Sequence, residues 1–250
     1  MASGTSNNTQ DSKDVAAFLI SVSMYLLPNL SFEVDRDGLS VWMARLSNLK
    51  LGKSSKNFEV YEQNIFNEIR SQDDLESMKD DPLFRSYRDL YWTFGMDPTK
   101  LRVSSEALRR RVLRGLNLWR ISDLVDVANL ASAYHKFPIG LVDDAKRDGD
   151  LRIRTAERGE EFVRIGGKAI TCRGREIVLS DETKIVCFGY ATHDSELTKV
   201  VPESKDVLIL IYGVQAASTE IMKSAIETTT DMITRWLDCR IDAHRIYRSD

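Results

Sequence analysis

The chain has 250 residues, of which 42% are hydrophobic and 29% charged, the composition of a folded protein of one large or two small domains rather than a disordered one. Its 35 basic and 38 acidic side chains leave a net charge of −3, so it lacks the positive excess of a typical nucleic-acid binder and any RNA contact must rest on a local patch. Cys172, Cys187 and Cys239 are far apart and form no CxxC pair, which argues against a disulfide framework or a structural zinc site and fits a reducing cytoplasm.

Met1–Lys13 is rich in Ser, Asn and Thr and reads as a mobile tail, so residues 1–14 stand apart from a single domain over 15–250. The apolar run Val15–Leu27 is broken by Ser21 and Ser23 and falls short of the roughly 20 residues a membrane span needs. The residues before it lack the positive start of a signal peptide. It reads as a buried helix stopped by Pro28. Phe32–Val34 and Leu39–Met43 read as short strands joined by the turn Asp35–Gly38, and Leu51–Lys56 as a loop. Phe58, Tyr61, Ile65, Phe66 and Ile69 recur at helical spacing in Phe58–Met78. Asp81–Pro82 is a helix start, with proline at the first position and a stop at Gly95. Ser104 or Ser105 can cap a helix through Leu116, and Ser122 a further one to about Tyr134.

After Pro138 the pattern changes. Leu141–Val142, Leu151–Arg154, Glu161–Ile165, Ala169–Thr171, Glu176–Leu179, Lys184–Phe188 and Val207–Ile211 are short β-like runs punctuated by Gly and Asp. Ala216–Leu237 reads as a final helix, with Ile221, Ala225, Met232, Ile233 and Trp236 inward. Helices first, strands second and one closing helix make an α+β plan: N-terminal helices packed on an antiparallel or mixed sheet. No Pro- or Gly-rich linker divides it.

Common catalytic signatures are missing. There is no GxxxxGK[ST] phosphate loop, GxSxG elbow or HExxH motif, and His135, His193 and His244 are scattered. No metal and no nucleotide cofactor is expected. Hydrolysis by a positioned water stays open, because it needs no strong linear motif.

The stretch Arg102–Asp144 resembles the B3/B4 domain, the editing module of the phenylalanyl-tRNA synthetase β subunit. The matching residues are Ser104 and Ser105, Leu108 with Arg111, then Val125, Asp126 and Asn129, then Pro138 and Asp143. Gly149–Ala156, Gly159, Glu160, Phe162 and Gly174–Asp181 extend the similarity, which spans roughly Phe84 to Leu210. The family turn after the proline usually carries His; here it is Gly140. The Pro-Ile-Gly form, Tyr87–Arg88 and Gly95–Arg102 resemble stand-alone relatives. Without anticodon-binding, catalytic-core and subunit-contact modules, the chain should not charge tRNA by itself.

The resemblance implies a cytoplasmic, trans-acting deacylase that hydrolyses the ester of a mischarged aminoacyl-tRNA. A positioned water attacks and fixed donors stabilise the oxyanion. Tyrosyl-tRNA(Phe) or canavanyl-tRNA(Arg) are the kinds of substrate it suggests. The alternative is a non-catalytic module of the same fold that binds tRNA, a free amino acid or a protein partner. The partner expected is tRNA, with no membrane.

Asn129, an amide inside an otherwise apolar helix, lines the pocket by resemblance or ties a neighbouring loop. Asp126, one turn earlier, binds substrate or pairs with an arginine such as Arg111. Gly140 admits close approach of substrate, and the lost His predicts a roomier or reshaped pocket. Glu176 and Asp181 bracket a strand and could read a substrate side chain; the plain reading of Asp181 is a solvated turn carboxylate. His193 could activate water as a neutral base, with Thr192, Asp194 and Thr198 completing the pocket. For tRNA the arginine patch is Arg102, Arg109, Arg110, Arg111 and Arg114, with Lys146, Arg147, Arg152 and Arg154 as a second cluster. Either patch can equally be a solvated basic face.

Overall fold

The computed structural model describes residues 27–249. The expected helix over Val15–Leu27 and the N-terminal tail lie outside the described residues, apart from Leu27 itself. Two strands open the fold, β1 (Leu30–Glu33) and β2 (Ser40–Ser47). Five helices follow: α1 (Lys56–Gln72), α2 (Ser77–Asp80), α3 (Pro82–Thr93), α4 (Ser104–Leu113) and α5 (Asp123–His135). Then come β3 (Ile139–Asp143), β4 (Leu151–Thr155), β5 (Arg158–Arg164), β6 (Lys168–Arg173), β7 (Ile177–Ser180), β8 (Ile185–Phe188), β9 (His193–Asp194) and β10 (Val207–Gly213). Helix α6 (Thr219–Trp236) is followed by a last strand, β11 (Arg240–Arg248). The α+β plan therefore stands, with β9 and β11 added to it.

The strands form two sheets and a hairpin. One sheet runs β1-β4-β7-β8-β9, parallel only between β1 and β4. The other runs β11-β2-β10-β3 and is antiparallel throughout. β5 and β6 pair with each other. The turn after β1 does not make a hairpin with β2, because the two strands enter different sheets. All seven residues of β10 are buried, so this strand reads as a continuous apolar run rather than an alternating one.

Local chemistry accounts for most helix ends. Ser55 and Ser122 accept backbone N–H bonds from Phe58 and Val125, and Asp81 accepts from Leu83 and Phe84 ahead of Pro82. Ser104 and Ser105 do not cap. The cap position of α4 is Val103, the Ser104 N–H donates to the Ala191 carbonyl at 3.1 Å, and both serine hydroxyls are buried without a partner. The residues Asp73–Glu76 separate α1 from α2, so the helical run does not continue to Met78 in one piece. On α6, Ala225, Met232 and Ile233 are buried as expected, whereas Ile221 is exposed.

Buried hydrogen bonds join the layers. The His135 ring accepts the Phe137 N–H at Nδ1 (3.1 Å), so its Nε2–H donates to Thr229 Oγ1 (3.0 Å), and that hydroxyl donates to the Ala225 carbonyl (2.8 Å). This chain locks α6 onto α5. Arg45, buried on β2, is held by Asp144 at 2.9 Å, Asp242 at 3.3 Å and Asp206 at 3.4 Å, so its desolvated charge is paired from three sides.

Candidate functional site

The segment Gly189–Ala191 is the most strained stretch of backbone near the expected site. Gly189, Tyr190 and Ala191 have φ of 72°, 50° and 69°, a left-handed run that costs free energy at the two non-glycine positions. Three interactions hold it. The Tyr91 hydroxyl donates to the Gly189 carbonyl, the Tyr190 hydroxyl donates to the Gly213 carbonyl at 2.7 Å, and Ala191 accepts from Ser104. The run delivers Thr192, His193 and Asp194 against β8. Thr192 Oγ1 sits within hydrogen-bond reach of the Tyr91 hydroxyl and 3.0 Å from the Gly189 carbonyl.

The two residues of β9 face opposite ways, as strand alternation requires. Asp194 is opposite Cys187, and His193 is opposite Phe188. On the Asp194 side, its Oδ2 lies 3.5 Å from the Leu141 amide, and its Oδ1 is 3.4 Å from where a Cβ on Gly140 would sit. Tyr212 closes the same space, with its Cε2 at 3.1 Å and its hydroxyl at 3.2 Å from that Cβ position. Burial raises Asp194 to about 6, against the lowering effect of the Leu141 amide and the Cys187 thiol. Burial also pushes the Cys187 thiol and the Tyr212 phenol well above their ordinary ranges. By geometry the Tyr212 hydroxyl meets no hydrogen-bond partner among the described residues other than the Cys187 thiol. Gly140, Cys187, Tyr212 and the half-buried Asp194 thus form one cluster between the two sheets.

The room expected beside Gly140 is not there, because the Tyr212 ring from the neighbouring strand fills it. Gly140→Ala should therefore lower the unfolding free energy by about 1–3 kcal/mol through overpacking. Urea denaturation of the variant checks this, and an unchanged midpoint and slope would show that the ring has room to move.

On the other face, His193 is half-buried and its imidazole is held below its ordinary value, first by burial and then by the nearby Arg164 guanidinium. It is neutral near pH 7 and can accept a proton. Phe188, on the same face, stacks on Phe162 and forms the wall of a cleft of about 370 Å³ with Met96, Ile170, Lys100, Arg173 and Arg175. Glu176 also lines this cleft. Its carboxylate is buried and accepts the Arg173 and Arg175 amides at 2.9 and 3.2 Å.

The remaining expected residues are dispersed. Asn129 is half-buried on α5, one turn beyond Val125, which lines an apolar cleft of about 410 Å³ with Ile121, Leu51 and Val200. Asp126 is buried and tied up. It accepts from Ser54 Oγ at 2.7 Å and the Ile121 amide at 2.9 Å, and its nearest arginine is Arg120 at 3.9 Å, not Arg111. Asp181 is buried rather than solvated. Burial pushes it up, but the amides of Asp148, Thr183 and Lys184 and the Lys184 ammonium bring it below the usual carboxylate range. Thr198 is buried, and its carbonyl accepts the Asp143 amide at 2.9 Å.

The arginine patch splits. Arg109 is 1% exposed and leaves the patch: it bonds Asp73 and the carbonyls of Ala133 and Tyr134. Arg110 and Arg102 approach Glu106 at 3.0 and 3.7 Å, together with Arg88 at 3.0 Å. Arg111 stacks on Trp119 with 4.1 Å to the ring centroid, while Arg114 is exposed. In the second cluster, Lys146, Arg147 and Arg154 pair with Asp143, Asp144 and Glu160. Tyr91, Cys187, Tyr212, Lys100, Arg173 and Arg175 are the site-forming residues that sequence reasoning missed. Tyr212 had one usable signal, a hydroxyl in an apolar run, where it needs a reason to be buried.

Helices on one side, a split antiparallel and mixed sheet and a strained loop at the sheet junction define an α+β domain with a cleft beside that loop. Residues 86–237 match the B3/4 domain family, and the chain belongs to that family. It is 33% identical over 97 residues to the phenylalanine–tRNA ligase beta subunit of Cereibacter sphaeroides, covering 39% of this chain and 12% of that one. It is 24% identical over 110 residues to the corresponding subunit of Fusobacterium nucleatum, covering 44% and 14%. The chain therefore spans a small part of the length of these relatives. Among solved structures, an N-terminal fragment of the phenylalanyl-tRNA synthetase beta subunit from Pyrococcus horikoshii aligns with 88% of this chain and 54% of its own, at 13% identity and a TM-score of 0.44.

Proposed function

We propose that the chain hydrolyses the ester bond of a mischarged aminoacyl-tRNA as a free-standing cytoplasmic deacylase. Membership of the B3/4 family, through a match covering residues 86–237, carries this reading; the tRNA partner follows from relatives that are tRNA ligase subunits. His193, neutral near pH 7 and half-buried, is suited to accept a proton from the attacking water. Thr192, at the end of the strained loop, is suited to hold the ester. Asn129, beside the separate Val125 cleft, would hold a more distant part of the substrate. An ester is activated enough that positioning and fixed dipoles suffice. A wrong or non-protein amino acid on the tRNA is the expected substrate.

One observation favours a second reading, a module that binds tRNA, an amino acid or a protein without turnover. The space beside Gly140 is filled by Tyr212, and Asp126, Glu176 and Asp181 are engaged by backbone donors. Incubation with a panel of mischarged tRNAs separates the two. Turnover should appear on at least one, and Asn129→Ala should slow it about tenfold or more with little change in stability. Folded protein that releases no amino acid from any of them sinks the deacylase reading. A melting point that falls while turnover per folded molecule holds makes Asn129 a loop tie instead.

A further inference from the structure

The cleft beside Phe188 is built around a cationic turn. Arg173 and Arg175 flank Gly174, whose φ of 83° favours glycine, and both of their amides donate to the buried Glu176 carboxylate. This fixes the turn and leaves both exposed guanidiniums without an ion pair among the described residues. The stem of Arg175 lies over Gly95, with Cδ 3.1 Å from where a Cβ would stand, so the missing side chain there lets the arginine reach across the end of α3. From the opposite wall comes Lys100, exposed and 3.5 Å from Asp97, whose other oxygen accepts from Thr99. The floor is apolar, formed by Met96, Ile170 and Phe188.

Leu101 connects this cleft to a second cationic group. It lines both the cleft and the adjoining hollow where Arg88 and Arg102 converge on the single buried carboxylate of Glu106. Five cations thus face three carboxylates, those of Asp97, Glu106 and Glu176, along one band of a chain whose net charge is −3. Cations above an apolar floor match the chemistry of single-stranded nucleic acid, with phosphates on the rim and a base on the floor. A volume near 370 Å³ admits about one nucleotide and not a duplex. The cleft shares a sheet face with His193, on the side of β9 away from Asp194.

We infer that this cleft seats a nucleotide of single-stranded RNA, with its phosphate held by Lys100, Arg173 and Arg175 and the strand continuing toward Arg102 and Arg88. The inference rests on the aminoacyl-tRNA reading for the identity of the strand. Its test uses unacylated RNA, so it does not depend on ester hydrolysis. Fluorescence anisotropy with a labelled single-stranded hexaribonucleotide ending in CCA, over a series of salt concentrations, measures Kd and its salt dependence. Arg173→Gln/Arg175→Gln should raise Kd about tenfold and reduce the salt slope by about 1. Lys100→Gln, on the other wall, should raise Kd by a smaller factor. The charge-matched Lys56→Gln/Lys223→Gln, which touches neither cleft nor band, should leave both quantities near wild type. Circular dichroism confirms folding of each variant, which the exposure of all these side chains favours. Equal weakening by the two double variants, an unchanged Kd in the cleft variant or no binding by the wild type overturns the inference. Deacylation of a mischarged tRNA in the absence of hexamer binding would leave the deacylase reading intact and remove this one. Cleft-dependent binding without any deacylation would do the reverse.

Discussion

Arg109→Met is expected to lower the unfolding free energy by about 3–5 kcal/mol, the cost of leaving one partner of a buried ion pair uncompensated. Arg109 is 1% exposed, and its guanidinium meets Asp73 through both Nε and Nη2 at 2.7 Å. Its Nη1 also donates to the carbonyls of Ala133 and Tyr134 at 2.7 and 3.0 Å, near the end of α5, where helix carbonyls have no partner in their own helix. The side chain therefore ties α4, the end of α1 and the end of α5 together. Methionine fills much of the volume but supplies no donor. Asp73 would keep Lys136 at 3.0 Å, which limits the loss. Burial alone would push Asp73 up; Lys136 and Arg109 together hold it below its ordinary value. Removing Asp73 as well, in Arg109→Met/Asp73→Leu, should recover part of the stability, since the pair is then absent instead of broken. Urea denaturation of the wild type and the two variants measures this. A loss under about 1 kcal/mol for Arg109→Met would mean that water reaches the site on substitution.

Arg109 also shows how much of the arrangement could be read in advance. It stands in a run of three arginines, which suggests a basic surface. Yet it lies four residues after Ser105 and three before Val112, and both are buried. Helical periodicity alone puts it on the inward stripe of α4 and turns Arg110 and Arg111 aside. Signals that act over a few residues were legible in this way. Asp81 with Pro82 fixes the start of α3, and Ser122 fixes that of α5. Signals that depend on distant partners were not. Ser104 is the first residue of the helix rather than its cap, and its amide is met by the carbonyl of Ala191, far along the chain. β11 is a polar strand with mostly exposed or half-buried side chains, so no apolar alternation marks it; only pairing with β2 makes it a strand. The cluster around Gly140 has the same origin. Gly140 looked like open space because the residue that fills it, Tyr212, comes from a strand some seventy positions later, paired to β3 by sheet register.

Stability should fall less steeply between about pH 6 and pH 4 in the wild type than in Asp194→Asn. Two half-buried, desolvated groups act in opposite directions. His135 is lowered from 6.5 to about 3, by burial, against the raising effect of its backbone hydrogen bond. The unfolded chain then binds one more proton than the native state between those values, so stability falls as the pH drops through the window. Asp194 is raised from 3.8 to about 6, chiefly by burial. Here the native state binds the extra proton, so stability rises as the pH drops from about 6 to 4. The two slopes have opposite sign where the windows overlap, so Asp194 offsets His135, while the lowered His193, Glu160, Glu196 and Glu220 slope the same way in both proteins. Asparagine keeps the shape of Asp194 and an oxygen for the Leu141 amide but carries no charge. The variant should be up to about 3 kcal/mol more stable than the wild type at pH 8, the cost of the desolvated charge, and that lead should shrink to near zero by about pH 4. Thr229→Val removes the acceptor of the His135 Nε2–H and leaves that donor buried without a partner, so it should destabilise by about 1–3 kcal/mol with the slope retained. Urea denaturation at pH 8, 7, 6, 5 and 4 follows all three proteins. A wild-type and an Asp194→Asn curve that stay parallel across this range would show that Asp194 is ionised throughout, and that water or a rearranged Tyr212 solvates it.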